Sequence, residues 1–113
     1  MSRVYKILTR DEWARAQAAG RFEGSAVDLA DGFIHFSTAA QAQETARRHF
    51  AGQTDVVVLE VEGEDLGAAL KYEPSRGGDL FPHLYGPLEV THVRRVSDAP
   101  LGADGVPQLG ELA

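Results

Sequence analysis

The 113-residue sequence has no cysteine, a single methionine, a single tryptophan, and eleven basic residues against seventeen acidic ones. Without cysteine there is no disulfide framework, no thiolate metal site and no thiol nucleophile. The shortage of basic residues leaves a formal charge of −6, which argues against a general nucleic-acid binder. Long apolar runs are missing too: the longest is Val56–Leu59, far short of the roughly 20 residues of a membrane span. Arg3 and Lys6 near the start are not followed by an apolar stretch, so no secretory signal is expected and the cytoplasm is the expected location. The dinucleotide G-x-G-x-x-G, the P-loop, H-E-x-x-H and G-x-S-x-G are all absent. The four histidines, His35, His49, His83 and His92, include no pair at metal-binding helical spacing. A zinc or iron site from His35, His83 and Glu73 is conceivable, but nothing favours it, and no metal is expected.

What is present suits one modest soluble domain: 43% hydrophobic and 25% charged residues. Area scaling for a chain of this mass gives about 65% of the unfolded surface buried, enough for a core without covalent staples. Residues Val4–Leu8 read as a strand. Thr9 and Glu12 then form a Thr-x-x-Glu box, opening a helix over Arg10–Ala19 that Gly20 stops. Residues 21–31 read as a loop or a single helical turn, with Ser25 and Asp28 as a short capping pattern. Phe33–Ser37 reads as a strand, with Ile34 and Phe36 facing one side and Phe33, His35 and Ser37 the other. Thr38 and Gln41 open a second helix, whose core stripe is Ala39, Ala42, Ala46 and Phe50, with Gly52 after it.

Asp55–Val61 reads as a central strand because its apolar run is continuous. Ala69–Glu73 forms a further strand, Ser75–Pro87 an irregular loop rich in glycine, proline and aromatic residues, and Leu88–Val96 a last strand. About five strands and two helices, not strictly alternating, indicate an α+β domain over residues 1–96, with residues 97–113 as a loosely docked tail.

Three groups of residues have chemistry to offer. His35, Ser37 and Thr38 lie where a strand meets a helix start, and strand geometry sets His35 and Ser37 about 7 Å apart on one face. With the helix amides behind them they make a cradle for phosphate or ribose oxygens; the alternative is plain capping by Ser37 and Thr38 with His35 half-buried and hydrogen-bonded. The segment Phe81, Pro82, His83, Leu84, Tyr85, Gly86, Pro87 is stiffened by its prolines. It offers Phe81 and Tyr85 as faces of a slot for a planar ring, with His83 at the edge; the alternative puts Phe81 in the core. Glu73 stands at a strand end beside that segment, with Arg76 near it as a partner for carboxylate or phosphate.

These residues carry a resemblance. Tyr5, Glu12-Trp13, the run Gly32-Phe33-Ile34-His35-Phe36-Ser37-Thr38-Ala39-Ala40-Gln41, Phe50, Leu59, Tyr72-Glu73-Pro74 and Phe81-Pro82-His83-Leu84-Tyr85-Gly86 together resemble domain of unknown function family 952, short and mostly bacterial proteins, over residues 3–96. The resemblance implies an ADP-ribosylation-like split sheet with a nicotinamide-nucleotide cleft and NAD as a possible substrate. By that analogy His35 contacts the ribose, Ser37, Thr38 and Gln41 line the cleft, and Tyr85, with Tyr5 or Tyr72, stacks on nicotinamide. Glu73 is then the acid that grips the ribose 2′-hydroxyl as a glycosidic bond breaks, with Arg76, Phe81 and His83 completing the ligand site. The F-P-H-x-Y-G segment matches no transferase motif. The expectation is therefore a domain binding a nucleotide or phosphorylated ribose ligand, with glycosidic cleavage or group transfer as its reaction; the competing class is a non-enzymatic binding or interaction module of the same fold, and a metal-assisted hydrolase ranks third.

Overall fold

The computed structural model describes residues 2–112, the side chain of Arg76 excepted. Eight strands and three α-helices are found among these residues, in the order β1 (Arg3–Thr9), α1 (Arg10–Ala19), β2 (Arg21–Phe22), α2 (Ala26–Asp31), β3 (Ile34–His35), α3 (Ala39–His49), β4 (Val56–Glu62), β5 (Leu70–Pro74), β6 (Leu80–Leu84), β7 (Leu88–Glu89) and β8 (Val93–Asp98). They make an α+β domain with three small antiparallel sheets, β1-β4-β8, β2-β7 and β3-β6-β5. No helix among the described residues is long and apolar enough to cross a membrane.

Local chemistry decides α1. Thr9 Oγ1 accepts from the Glu12 N–H at 3.1 Å, Glu12 returns a carboxylate oxygen to the Thr9 N–H at 2.9 Å, and Gly20 ends the helix in the left-handed region. β4 is the middle strand of its sheet, as a continuous apolar run requires, and both its faces are covered. On one face Val57, Leu59 and Val61 pack with Val4, Leu8, Trp13, Phe22, Ile34 and Leu84. On the other, Val56 and Val58 meet Tyr5, Ile7 and the small residues Ala42 and Ala46 of α3.

Four expectations are corrected. Residues 21–31 contain the two-residue strand β2 and the six-residue helix α2. The stretch expected to be an irregular loop contains β6, the middle strand of its sheet, in spite of Pro82. The Pro82 carbonyl accepts from Phe36 N–H at 2.9 Å, but proline has no N–H to return to Phe36. Its nitrogen therefore faces the point where β3 has already ended, and the ladder tolerates it there. The strand expected over Leu88–Val96 is interrupted by a 3-10 turn at Val90–His92. The C-terminal segment packs more closely than its composition suggests. Ala99 and Leu109 join the second core cluster, and Gln43 holds the Pro107 carbonyl and the Leu109 N–H at 2.9 and 3.1 Å.

Candidate functional site

The sheet β3-β6-β5 arranges the site by simple alternation. His35 lies directly opposite His83, and His83 directly opposite Lys71. Side chains two residues apart share a face, so Phe33 and His35, Phe81, His83 and Tyr85, and Lys71 and Glu73 all project from one side. The other side presents Ile34 and Leu84 to the core. On the polar side the Phe33 ring stacks on His83 with centroids 4.0 Å apart, lies 4.6 Å from His35 and 5.3 Å from Tyr85. The two imidazoles are 5.6 Å apart, edge to face.

Each imidazole has a carboxylate on Nδ1. His83 Nδ1 lies 2.8 Å from Glu73 Oε1, the oxygen that also accepts from the Tyr85 hydroxyl at 2.8 Å. These two donors, His83 first, hold the Glu73 carboxyl below its usual value, and the same bond raises the Tyr85 hydroxyl. His35 Nδ1 lies 2.6 Å from Asp28 Oδ1, and its Nε2 lies 2.9 Å from Asp31 Oδ2. An ionised carboxylate only accepts, so both contacts are hydrogen bonds only when both ring nitrogens carry hydrogen.

Asp28 is the most heavily bonded group of the site. With 1% of its surface exposed, it accepts from the His35 N–H and ring at Oδ1, and from the Ser25 N–H and Lys6 Nζ, both at 2.9 Å, at Oδ2. Burial alone pushes its carboxyl up; the His35 bond, the Lys6 charge and bond, and the Ser25 amide outweigh it and hold the carboxyl far below the ordinary range. Burial pulls Lys6 below its ordinary value, with Asp28 opposing. Gly24 is needed here: its φ is +125°, and a Cβ would stand 2.9 Å from Asp28 Cβ.

Beside this cluster opens a cleft of about 1160 Å³ whose walls include Tyr5, Lys6, Ile7, His35, Ser37, Phe81 and His83, together with Thr45, Arg48 and His49 of α3. The expected site residues thus fall into three groups. His35, Ser37, Phe81 and His83 line the cleft, as does Tyr5. Glu73 and Tyr85 stand behind His83 and touch the cleft through it. Thr38 and Gln41 stand away from it: the Gln41 side chain accepts from the Thr38 N–H at 3.0 Å and donates to the Leu80 carbonyl at 2.8 Å, pinning the helix start to β6. The cleft therefore runs along the later turns of α3 instead of across its N-terminal amides. The Ser37 hydroxyl pairs with Thr45 Oγ1 at 2.9 Å, and the Arg76 side chain lies outside the described residues. Among the described residues no cluster of three histidine or carboxylate side chains is arranged to hold a metal ion.

Lys6, Asp31 and Phe33 enter the site without having been picked out from the sequence, and Asp28 appeared there only as a cap. Lys6 did carry a signal, since alternation in β1 puts a charged residue on the same face as Val4 and Leu8. Phe33 shares a face with His35 by the same rule.

Comparison with known proteins supports one family and no activity. The family described as "Protein of unknown function (DUF952)" matches residues 7–96. A crystal structure of protein CC0527 from Caulobacter crescentus is 63% identical, covers 96% of each chain and superposes with a TM-score of 0.94. Its V27M/L66M double mutant, also a crystal structure, is 61% identical over the same shares with a TM-score of 0.94. The solution NMR structure of CC0527 is 64% identical, covers 97% of this chain and 95% of that one, and has a TM-score of 0.87. No curated protein matches the chain.

Proposed function

We propose that this chain, which belongs to the DUF952 family, binds a nucleotide or phosphorylated ribose ligand of NAD type in the cleft beside β3 and β6. The observation that carries this reading is the pair of imidazoles on one sheet face, each with Nδ1 on a carboxylate, at the wall of a roomy cleft. A histidine oriented through Nδ1 offers Nε2 to a ligand, the arrangement of an acid–base group with its orienting partner. In His83 that nitrogen is the one left for the cleft; in His35 it meets Asp31, which is half-exposed and able to yield to a ribose hydroxyl. The apolar walls, Phe36, Phe50 and Phe81 among them, suit a planar ring, and Arg48, paired with Glu44 at 2.8 Å, brings a guanidinium to the α3 end.

The ligand class itself comes from the ADP-ribosyltransferase-like fold that the family resemblance implies, and from no transferase motif in the chain. Within it, Glu73 is a positioning residue for His83, because its bonded oxygen faces the ring and the Tyr85 hydroxyl. That arrangement favours a second reading, a binding module without bond cleavage, over direct grip of a 2′-hydroxyl by Glu73.

Calorimetric titration of NAD and ADP-ribose, with chromatographic assay for free nicotinamide, tests both. Binding that weakens in His83→Ala supports the site. Nicotinamide release lost in the same variant makes the protein an enzyme, and binding with no product makes it a module. Affinity for neither ligand, or affinity unchanged in His83→Ala and His35→Ala, overturns the proposal.

A further inference from the structure

We propose that the backbone of Ile7, on the open edge of β1, is a docking point for a planar ligand edge that carries a hydrogen-bond acceptor and donor side by side: a carboxamide or the edge of a nucleobase. This deepens the reading above and rests on it for the ligand's overall class.

β1 pairs with β4 on one side only. On its other side Tyr5 exchanges both backbone bonds with Ser37, at 2.8 and 2.9 Å. Backbone groups alternate sides along an antiparallel strand, so the Ile7 N–H and C=O also point away from β4. The next N–H in that row, on Thr9, is taken by Glu12 Oε1 at 2.9 Å. Among the described residues nothing bonds to the Ile7 backbone, although the residue is only 5% exposed and lines the cleft. Buried backbone groups in folded proteins are nearly always matched by protein, water or ligand, and at the wall of the cleft these two are placed for a ligand group to match them.

The gap also selects its occupant. It is one residue long, closed by Ser37 at one end and Glu12 at the other, which is too short for an added peptide strand. One donor and one acceptor remain, and an amide-type edge matches both. A carboxylate or phosphate, which only accepts, meets the N–H but confronts the carbonyl with like charge.

Two-dimensional ¹⁵N NMR of the full labelled chain tests this with nicotinamide against nicotinate, 9-methyladenine against 9-methylpurine, and ribose 5-phosphate as a probe without such an edge. The expected result is a downfield shift of the Ile7 amide with nicotinamide or 9-methyladenine, and binding about tenfold weaker for the partner compound that lacks the matching edge. The pair that responds identifies the source. The proposal is overturned if neither amide-type compound moves Ile7, if nicotinate moves it as nicotinamide does, or if only water contacts its N–H throughout. Ribose 5-phosphate acting on His35 and His83 while Ile7 stays unmoved would refute the docking edge and leave the nucleotide reading standing. The reverse pattern would support the edge and count against the sugar-phosphate reading.

Discussion

The two histidines look alike on paper and are held in different ways. His35 leans on Asp28, a carboxylate out of contact with water that four donors saturate and that ties β1, α2 and β3 together through Lys6, Ser25 and His35. His83 leans on Glu73, whose side chain is 36% exposed and whose two donors come from one strand and the turn after it. The Asp28 end is a structural anchor that happens to orient an imidazole. The Glu73 end is lightly held, so its charge and its partners can change when a ligand arrives. The difference teaches that the same pairing serves stability at one end and chemistry at the other, with burial setting which.

The largest expected break in this contrast is Asp28→Asn. It leaves the buried Lys6 ammonium without its partner, and equilibrium urea unfolding should show a loss of about 3–5 kcal/mol. Lys6→Met should approach that loss by stranding the carboxylate. The double variant should lose less than the sum of the two, because the pair is one unit.

Acid titration sharpens the contrast. The Asp28 carboxyl lies lower in the folded state than in the unfolded chain, so its contribution is fully present above about pH 4 and fades as pH falls toward its folded value. The urea midpoint of the wild type should therefore drop steeply below that pH, and the midpoint of Asp28→Asn should follow a flatter course. Glu73→Gln should leave the acid limb nearly unchanged, since Glu73 is depressed in the same direction but is partly exposed, where solvent screens its bonds.

For ligand affinity the order reverses. Glu73→Gln should weaken binding of ADP-ribose about tenfold by loosening the His83 ring, with little change in unfolding midpoint; calorimetry and melting on the same sample separate the two. Phe33→Leu removes the ring that touches both imidazoles, and loss of its aromatic contacts should cost about 1 kcal/mol by chemical denaturation. Tyr85→Phe is the smallest change: the hydroxyl bond to Glu73 disappears at a position 43% exposed. Its unfolding midpoint should match the wild type within error, while the pH dependence of ligand binding moves because Glu73 has lost a donor.

Much of the fold is local and was legible. The Thr9–Glu12 box, Gly20, the alternating run around His35 and the continuous apolar β4 all follow from neighbours within four residues. Alternation alone put Phe33 and His35 on one face; His83 and Tyr85 share a face because β6 forms where an irregular loop was expected. That the two faces coincide depends on the register His35 opposite His83, which no local signal sets. Pro82 misled, because a proline argues against a middle strand unless its missing donor falls where the neighbouring strand has ended. The tail misled because the glutamine that docks it, Gln43, lies 64 and 66 residues from its partners.

By itself the sequence determined the starts of α1 and α3, the stop of α1, the two faces of β3 and the supply of two imidazoles with acids to spare. Backbone sterics and near-neighbour hydrogen bonds act within a turn or a pleat, and these features need nothing more. Which acid meets which imidazole was left to tertiary structure. Lys6 reaches Asp28 across 22 residues, and Glu73 reaches His83 from the adjoining strand. The open amide of Ile7 exists only because Ser37 bridges β1 at Tyr5 and goes no further. Such contacts form when the core closes, since only then does removal of water make an unpaired charge or amide costly enough to dictate its partner.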